Sequence, residues 1–312
     1  MFMVVNSAYC QEAREKKYGF SIAPQSGFVY GQALEFVYPV PGETKGEYLS
    51  ELKWDMKSVF YLGAQADFGR VDPFSAPGFF SSLSFKAGIH SDSGIIENRD
   101  WMSTENDGLT HFSSHTNRTV GFYIIDAVAG VSLPVKSRFF AKPFISGRWM
   151  RFSFTGRNGQ GTYARPKGYS TYYPIDDDPV THKFENDVIK YKQDWFLFSP
   201  GISAGAKISA FTFNLSFQIS PLSYCVSRDD HLTTKAVYLD YTRLGLFLEP
   251  TASVSFTVRR MELLLEFAYL RIGNTRGETY INEGDSGYYR AFTKAGAGLS
   301  LFDLRFLVKF HI

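Results

Sequence analysis

Three short polar clusters contain the residue types that hydrolytic chemistry requires. The first is Arg228-Asp229-Asp230-His231, in which Asp229 and His231 share one face of an extended chain. A carboxylate at this spacing can orient an imidazole, and the imidazole can then act as a general base. An isolated Asp-x-His is usually part of a solvated loop. The pair therefore indicates a catalytic base only if the fold brings other polar groups to the same place.

The other two clusters contain Asn98, Asp100 and Glu35. Asn98-Arg99-Asp100-Trp101-Met102 ends an alternating run whose polar face comprises the even positions Ser84, Lys86, His90 and Asp92. Glu35 lies on the face opposite an apolar set made of Phe28, Tyr30, Leu34, Phe36 and Tyr38. Because side chains alternate along a strand, we expect Asn98, Asp100 and Glu35 to point into the interior of the protein.

Other polar groups lack the spacing of a metal or nucleophile site. Asp176-Asp177-Asp178 lies between two prolines without the ligand spacing of a calcium loop. His111 and His115 are four residues apart in a Ser/Thr/Asn-rich segment that we interpret as a loop, which disfavours zinc. No nucleophile elbow, phosphate-binding loop or paired CxxC occurs in the sequence. We expect neither a metal nor a cofactor.

Long runs with a period of two must position these clusters. In 210–220 one face comprises Phe211, Phe213, Leu215, Phe217 and Ile219, and the other face is polar. About ten such runs occur, and many exceed the usual strand length of roughly five or six residues. They lie near residues 18–38, 48–66, 79–98, 118–132, 138–155, 187–206, 210–227, 236–257, 261–273 and 289–312.

These runs are typical of a barrel that crosses a bilayer. No apolar stretch is long enough for a transmembrane helix, whereas strands of a membrane barrel alternate as observed. The gaps after runs one, three, five and nine are long, and those after runs four, six and eight are short. Outer-membrane barrels alternate long external loops with short periplasmic turns. We predict an all-β fold: a closed antiparallel transmembrane β-barrel of about ten long strands, with long extracellular loops.

We expect one barrel domain over residues 18–312, preceded by a tail or signal remnant at 1–17. Strict alternation along the seventh run directs Asp229 outward, so a bulge or bend near Pro221 is needed to turn it inward. Cys10 and Cys225 are expected at opposite ends of the barrel, too far apart for a disulfide. With 33 basic and 31 acidic residues the net charge is only +2, which disfavours nucleic-acid binding.

The clusters together resemble those of the omptins, outer-membrane endopeptidases built on a ten-stranded barrel. The resemblance extends over most of the chain, roughly from residue 20 to residue 300. The matching motifs are Leu52-Lys53-Trp54, Asp100-Trp101-Met102, Arg151-Phe152-Ser153-Phe154-Thr155, Tyr191-Lys192-Gln193 and Asp229-Asp230-His231.

The resemblance implies a catalytic site made of two facing pairs. In the family an Asp–His pair faces an Asp–Asp pair across a groove at the barrel mouth, and a water between them attacks the peptide carbonyl. Asp229 and His231 match the first pair, and Asp100 matches one member of the second. Asn98 stands where the family has its other aspartate. An amide can hydrogen-bond a water or an oxyanion, but it cannot share a proton with Asp100.

The resemblance also implies a substrate pocket and lipid contacts. Glu35 matches the family glutamate that binds a basic side chain before the scissile bond. Ser227 occupies the position of a second acidic residue, so a weaker preference for Arg or Lys is expected. Arg151 matches one lipopolysaccharide contact, while the others are replaced by Gly147, Trp149 and Asp194. The implied partners are peptide or protein substrates, especially basic ones, and outer-membrane lipid.

Three functional interpretations follow. The leading one is an endopeptidase in the cell outer membrane with its active site facing outside. The alternative is a barrel of the same fold that has lost catalysis and binds peptide or host protein as an adhesin, which the replacement at Asn98 favours. A simple pore is the weakest, because a ten-strand lumen is narrow and would be filled by Arg148, Lys309 and His311.

Overall fold

A computed structural model describes residues 18–40, 47–70, 72–105, 107–284 and 287–312. No helix in this part of the chain is long and apolar enough to span a membrane. The strand segments are β1 (Tyr18–Tyr38), β2 (Ser50–Arg70), β3 (Gly78–Gly88), β4 (Ser91–Asp100), β5 (His111–Lys136), β6 (Phe139–Tyr163), β7 (Pro166–Gly168), β8 (Thr171–Tyr172), β9 (Val180–Ile208), β10 (Phe211–Ser220), β11 (Ser223–His231), β12 (Ala236–Arg243), β13 (Phe247–Val258), β14 (Met261–Ile272), β15 (Arg276–Glu283) and β16 (Tyr289–His311).

Fourteen of these segments form one antiparallel sheet that closes on itself. Four strands are interrupted by a short break and are therefore counted as pairs of segments: β3 with β4, β10 with β11, β12 with β13, and β14 with β15. The sheet thus has ten full-length strands, six unbroken and four interrupted, and each of them is called a stave below. Pairing of β1 with β16 closes the barrel. The remaining segments, β7 and β8, form a separate small hairpin. The predicted all-β barrel of ten strands is confirmed.

The outer surface of the barrel carries a belt of exposed apolar side chains. Along β10 the exposed residues are Phe211, Phe213, Leu215, Phe217 and Ile219, as the alternation predicted. Along β1 the outermost exposed apolar side chain of this belt is Tyr30. Inside the belt the lumen is filled by paired charges, as burial of ions requires. Arg148 contacts Asp126 and Glu249 there, and Lys309 contacts Asp67.

Several staves extend farther at the outer end than the sequence pattern indicated. β5 begins at His111, β6 continues to Tyr163 and β9 begins at Val180, so the external connections are shorter than predicted. The connection after β15 spans only 284–288, and the prediction of a long loop at 274–288 is wrong. His111 and His115 consequently lie in β5 rather than in a loop. Beyond the belt both faces of a strand contact water or polar groups, so the apolar alternation no longer marks the strand.

Two irregularities control the inward direction of the β4 side chains. The strand breaks between Gly88 and Ser91, and the ladder shifts again between Asp92 and Gly94. His90 and Asp92 are exposed, so their predicted place on the lumen face is wrong. Each irregularity exchanges the inward and outward faces of the residues that follow it, so the second restores the original alternation. Asn98 and Asp100 therefore face the interior as predicted.

The seventh stave contains the bend that Asp229 requires. Pro221 and Leu222 are both exposed, between the buried Ser220 and Ser223. Two consecutive exposed residues shift the alternation by one position, and Asp229 is consequently only 2% exposed. The predicted bend near Pro221 is confirmed.

One of the two cysteines is described by the structure. Cys225 is buried and has a free thiol. Cys10 and the rest of the predicted tail at 1–17 lie outside the described residues, so the absence of a disulfide between the two stays a prediction.

Candidate active site

Three staves bring the predicted catalytic and pocket residues to one cleft. Glu35 comes from β1, Asn98 and Asp100 come from β4, and Asp229 and His231 come from β11. All five line a cavity of about 380 Å³. The cavity lies several residues beyond the apolar belt, at the end of the barrel opposite Tyr18 and Ile312. The sixth predicted residue, Ser227, is buried on β11 two residues before Asp229.

Asp229 and His231 form a hydrogen-bonded pair. His231 Nε2 lies 2.6 Å from Asp229 Oδ2, and the ring also packs against Tyr238 at 5.1 Å between ring centroids. The imidazole side chain is 37% exposed, whereas the Asp229 side chain is only 3% exposed. Within the described residues, His231 Nδ1 has no hydrogen-bond partner. The buried carboxylate thus holds the ring, and the free nitrogen is available to accept a proton.

The pKa of His231 is raised above its ordinary value. Burial on its own lowers that pKa, but the negative charges of Asp229, Asp100 and Asp230 together outweigh it. Burial also raises the pKa of Asp229, and its ion pair with His231 only partly opposes this rise. Asp100 acts on His231 because both side chains line the same cleft.

Asn98 and Ser50 hold the carboxylate of Asp100. Asn98 Nδ2 donates a hydrogen bond of 3.3 Å to Asp100 Oδ2, and Ser50 Oγ donates one of 3.2 Å to Asn98 Oδ1. Burial raises the pKa of Asp100 to about 6, against the opposing effects of Ser50, Asn98 and the His231 charge. Asp100 is therefore mostly ionised at neutral pH, although its pKa lies well above that of an exposed aspartate.

An aromatic layer forms the floor of the cleft. The Trp54 ring stacks on Tyr191 at 4.9 Å and on Phe154 at 5.6 Å between centroids. Gln193 donates to the Tyr191 hydroxyl and accepts from the Trp195 indole, both at 2.9 Å. This layer separates the cleft from the charged lumen within the apolar belt.

A second group of acids lies beside the pair of Asp229 and His231. Glu35 is 5% exposed, and its Oε2 has no hydrogen-bond partner among the described residues. Burial raises the pKa of Glu35 well above its ordinary value, and the charges of Asp229 and Asp240 add to the rise. Asp240, on β12, is 4% exposed and accepts a hydrogen bond of 3.1 Å from Ser227 Oγ.

Asp240 was not among the residues predicted from the sequence. The predicted residues lie where odd-numbered runs end, but even-numbered runs begin at the same mouth of the barrel. Asp240 lies near the beginning of run eight, between Tyr238 and Thr242 on the same strand face. That face and its position in the run were the signals that could have identified it.

Arg151 lies on the outer face of the barrel, away from the cleft. Its guanidinium makes two hydrogen bonds to Asp194, at 2.7 and 3.0 Å, and stacks over Trp149 at 5.3 Å. Trp149 Nε1 also donates to Asp194 at 3.2 Å. Arg151, Trp149 and Asp194 therefore form a cluster of their own, in which the charge of Arg151 is neutralised.

The closed barrel, its apolar belt and the polar cleft define an outer-membrane β-barrel with a site at its mouth. The chain belongs to the omptin family, whose model matches residues 16–309. The plasminogen activator of Yersinia pestis is 23% identical to it over 297 residues, covering 90% of this chain and 85% of that protein. The outer membrane protease OmpT of Escherichia coli has the same fold, with a TM-score of 0.81 at 17% identity over 96% of this chain and 99% of that one.

Membership of this family confirms the resemblance found in the sequence. It locates the protein in the outer membrane with the cleft facing outside, and it supports an outer-membrane protease function in general.

Proposed function

We propose that this protein is an endopeptidase that cleaves surface-exposed peptides or proteins near basic residues. The observation that carries the proposal is the 2.6 Å pair of Asp229 and His231 in the same cleft as Asp100. A water bound in the cleft between His231 and Asp100 would contact a base on one side and a carboxylate on the other. Neither a covalent enzyme intermediate nor a cofactor is required.

The reaction begins with removal of a proton from this water. His231 takes the proton on Nδ1 as the water oxygen forms a bond to the peptide carbonyl carbon. Asp229 stabilises the resulting imidazolium, and Asp100 accepts a hydrogen bond that orients the water. The imidazolium then gives its proton to the peptide nitrogen, the C–N bond breaks, and an acid and an amine are released.

Asn98 has a supporting part in this mechanism. One of its amide hydrogens is directed at Asp100, which fixes the carboxylate. The other hydrogen can be donated to the developing oxyanion, a contribution that strengthens as negative charge forms. An aspartate at this position would share a proton with Asp100, whereas the amide of Asn98 only donates hydrogen bonds.

Glu35 supports a preference for a cationic substrate side chain. It is buried within the cleft, and a bound guanidinium or ammonium would satisfy its unpaired oxygen. Changing Glu35 to Gln should therefore reduce cleavage at Arg or Lys more than cleavage at neutral residues. An equal loss on both kinds of peptide would mean that Glu35 acts structurally.

The proposal is tested with purified folded protein and fluorogenic peptides that contain Arg. We expect cleavage, no effect of a metal chelator, and a loss of about 10²- to 10⁴-fold in kcat when His231 is changed to Ala. His90→Ala is the matched control, because His90 is an exposed histidine outside the cleft. Equal activity of the His231→Ala variant and the parent would contradict the mechanism.

The alternative function is a catalytically impaired barrel that binds peptide or host protein. The observation that favours it is the amide at Asn98 where a carboxylate is expected. If the parent protein cleaves no peptide of a varied set but binds some of them, and if Asn98→Asp does not restore cleavage, this alternative becomes the better description.

A further inference from the structure

Asp240 is a buried carboxylate in the cleft that has no part in the proposed chemistry. It lies on β12 directly across from Ser227 in the β11–β12 ladder and lines the same cavity as Glu35. Ser227 Oγ donates to its Oδ2, and the hydroxyl of Thr279 on β15 also favours its charged form. The base is held separately, by Asp229, so Asp240 does not orient His231.

The cleft holds more buried acid than its own residues neutralise. Glu35, Asp229 and Asp240 are each no more than 5% exposed. None of the described residues that line the cavity is Lys or Arg, and His231 is engaged by Asp229. Within the part of the chain that the structure describes, two buried oxygens, Glu35 Oε2 and Asp229 Oδ1, have no hydrogen-bond partner. Burial of unpaired acids is unfavourable, so the cleft is suited to a cation that enters from outside.

We infer that Asp240 is the second anionic group, beside Glu35, of the pocket that receives the substrate's basic side chain. From β12 it supplies the carboxylate that position 227 on the neighbouring strand β11 lacks. The inference rests on the proposed function and specifies which residues give the proposed endopeptidase its selectivity for basic side chains. A serine at 227 does not weaken the pocket in this arrangement, because its hydroxyl positions a carboxylate from the neighbouring strand. The expectation of a weaker preference for Arg or Lys is revised accordingly.

The first test compares Asp240→Asn with the parent on two peptides that differ only in Arg or citrulline at the recognised position. Citrulline has nearly the shape of arginine but no charge. Loss of one charged contact should lower the preference for Arg about 10- to 100-fold, since hydrogen bonds to charged groups differ from neutral ones by this order. Cleavage of the citrulline peptide should stay near the parent rate.

Glu278→Gln is the matched control, because it also removes one negative charge. Glu278 lies on β15 next to Thr279, but its carboxylate is on the outer surface with Arg290 and Lys294. We expect this variant to keep the parent preference. Equal losses on both peptides in Asp240→Asn would overturn the inference, because a structural role does not distinguish the two side chains.

The second test moves the carboxylate back to β11. Asp240→Ser alone should lose the preference for Arg, and Ser227→Asp combined with Asp240→Ser should regain it. A double variant that folds and cleaves the citrulline peptide but still lacks the preference would overturn the inference.

Binding separates this inference from the proposed catalysis. The His231→Ala variant should bind the Arg peptide more tightly than the citrulline peptide, and adding Asp240→Asn should remove that difference. This result would stand even if the parent protein cleaved nothing. Equal binding of the two peptides by His231→Ala would overturn the inference while leaving the catalytic residues untouched.

Discussion

At the scale of single residues, burial and neighbouring charges act together on the groups of the cleft. Burial favours the neutral forms of His231, Asp100 and Asp240. Negative neighbours oppose this effect at His231, whereas hydrogen bonds to the ionised carboxylates oppose it at Asp100 and Asp240. For His231 the negative neighbours prevail, and its pKa is raised. For Asp100 and Asp240 burial prevails, and their pKa values rise to about 6 and about 7. Perturbed pKa values of this kind are common at functional sites.

The pH profile of cleavage should reflect the raised pKa of His231. The base must be neutral, so kcat/KM should fall as the pH decreases through a value above the ordinary 6.5. Asp100→Asn removes one of the charges that raise this pKa and should therefore move the acid limb to lower pH. Asp92→Asn, an exposed acid on the same strand, should leave the limb in place. A parent profile with its acid limb well below 6.5 would indicate a different base.

Asn98→Asp should raise the rate and move the acid limb to higher pH. The new carboxylate would lie about where the amide now contacts Asp100, 3.3 Å away, and two acids at this spacing share a proton. The added negative charge would also raise the pKa of His231 further. The measurement is kcat/KM against pH for both proteins. A fast parent that slows in the variant would show that the amide is an adapted part of the site.

At the scale of strands, local irregularities determine which side chains enter the cleft. The shift at Asp92/Gly94 on β4 and the bend at Pro221 each change the face of the residues that follow. Gly94 has a φ of +113°, and a Cβ at that position would lie 2.6 Å from the Asp55 side chain. Asp55 Oδ2 in turn accepts a hydrogen bond from the Ile95 amide at 3.1 Å. The catalytic direction of Asn98 and Asp100 thus depends on a glycine several residues away.

Gly94→Ala should reduce activity without any direct contact with the site. The substituted backbone is strained by about 1–3 kcal/mol, and relief of that strain would displace β4. We expect kcat to fall by about tenfold or more, because small displacements of catalytic groups are costly. Gly147→Ala is the matched control, since a Cβ there meets nothing within 4 Å. Unchanged kcat in folded Gly94→Ala would mean that the bulge does not position Asp100.

The sequence predicted the staves better than their outer ends or the cleft. Because each strand faces lipid on one side and the lumen on the other, apolar and polar side chains alternate along it. That alternation identified all ten strands. Outside the belt this constraint disappears, so β5, β6 and β9 extend farther than the pattern indicated. The position of Asp100 was predicted although His90 was misplaced, because two shifts cancelled. Asp240 was missed because its role depends on a neighbouring strand, which period-two patterns do not reveal.

At the scale of the whole molecule, the barrel is divided into two compartments. The aromatic layer around Trp54 and Tyr191 closes the cleft from below. Beneath it, paired charges fill the lumen inside the apolar belt, with Arg148 between Asp126 and Glu249. This arrangement disfavours a simple pore and gives the two compartments separate tasks. The cleft holds the residues of the proposed chemistry, and the lumen contains the ion pairs expected to stabilise the barrel.

Arg148→Met should therefore destabilise the barrel but spare the chemistry of molecules that remain folded. The side chain is 9% exposed, and its removal leaves the carboxylates of Asp126 and Glu249 without their counter-ion, which typically costs about 3–5 kcal/mol. Arg151→Met is the comparison on the same strand and should destabilise less, because Arg151 is 40% exposed and Asp194 keeps its contacts with Trp149 and Lys192. Urea unfolding in phospholipid vesicles measures both variants, and kcat/KM is measured on the folded fraction. Equal destabilisation by the two substitutions would show that water screens the lumen charges. A loss of kcat/KM in folded Arg148→Met would show that the aromatic layer does not isolate the cleft from the lumen.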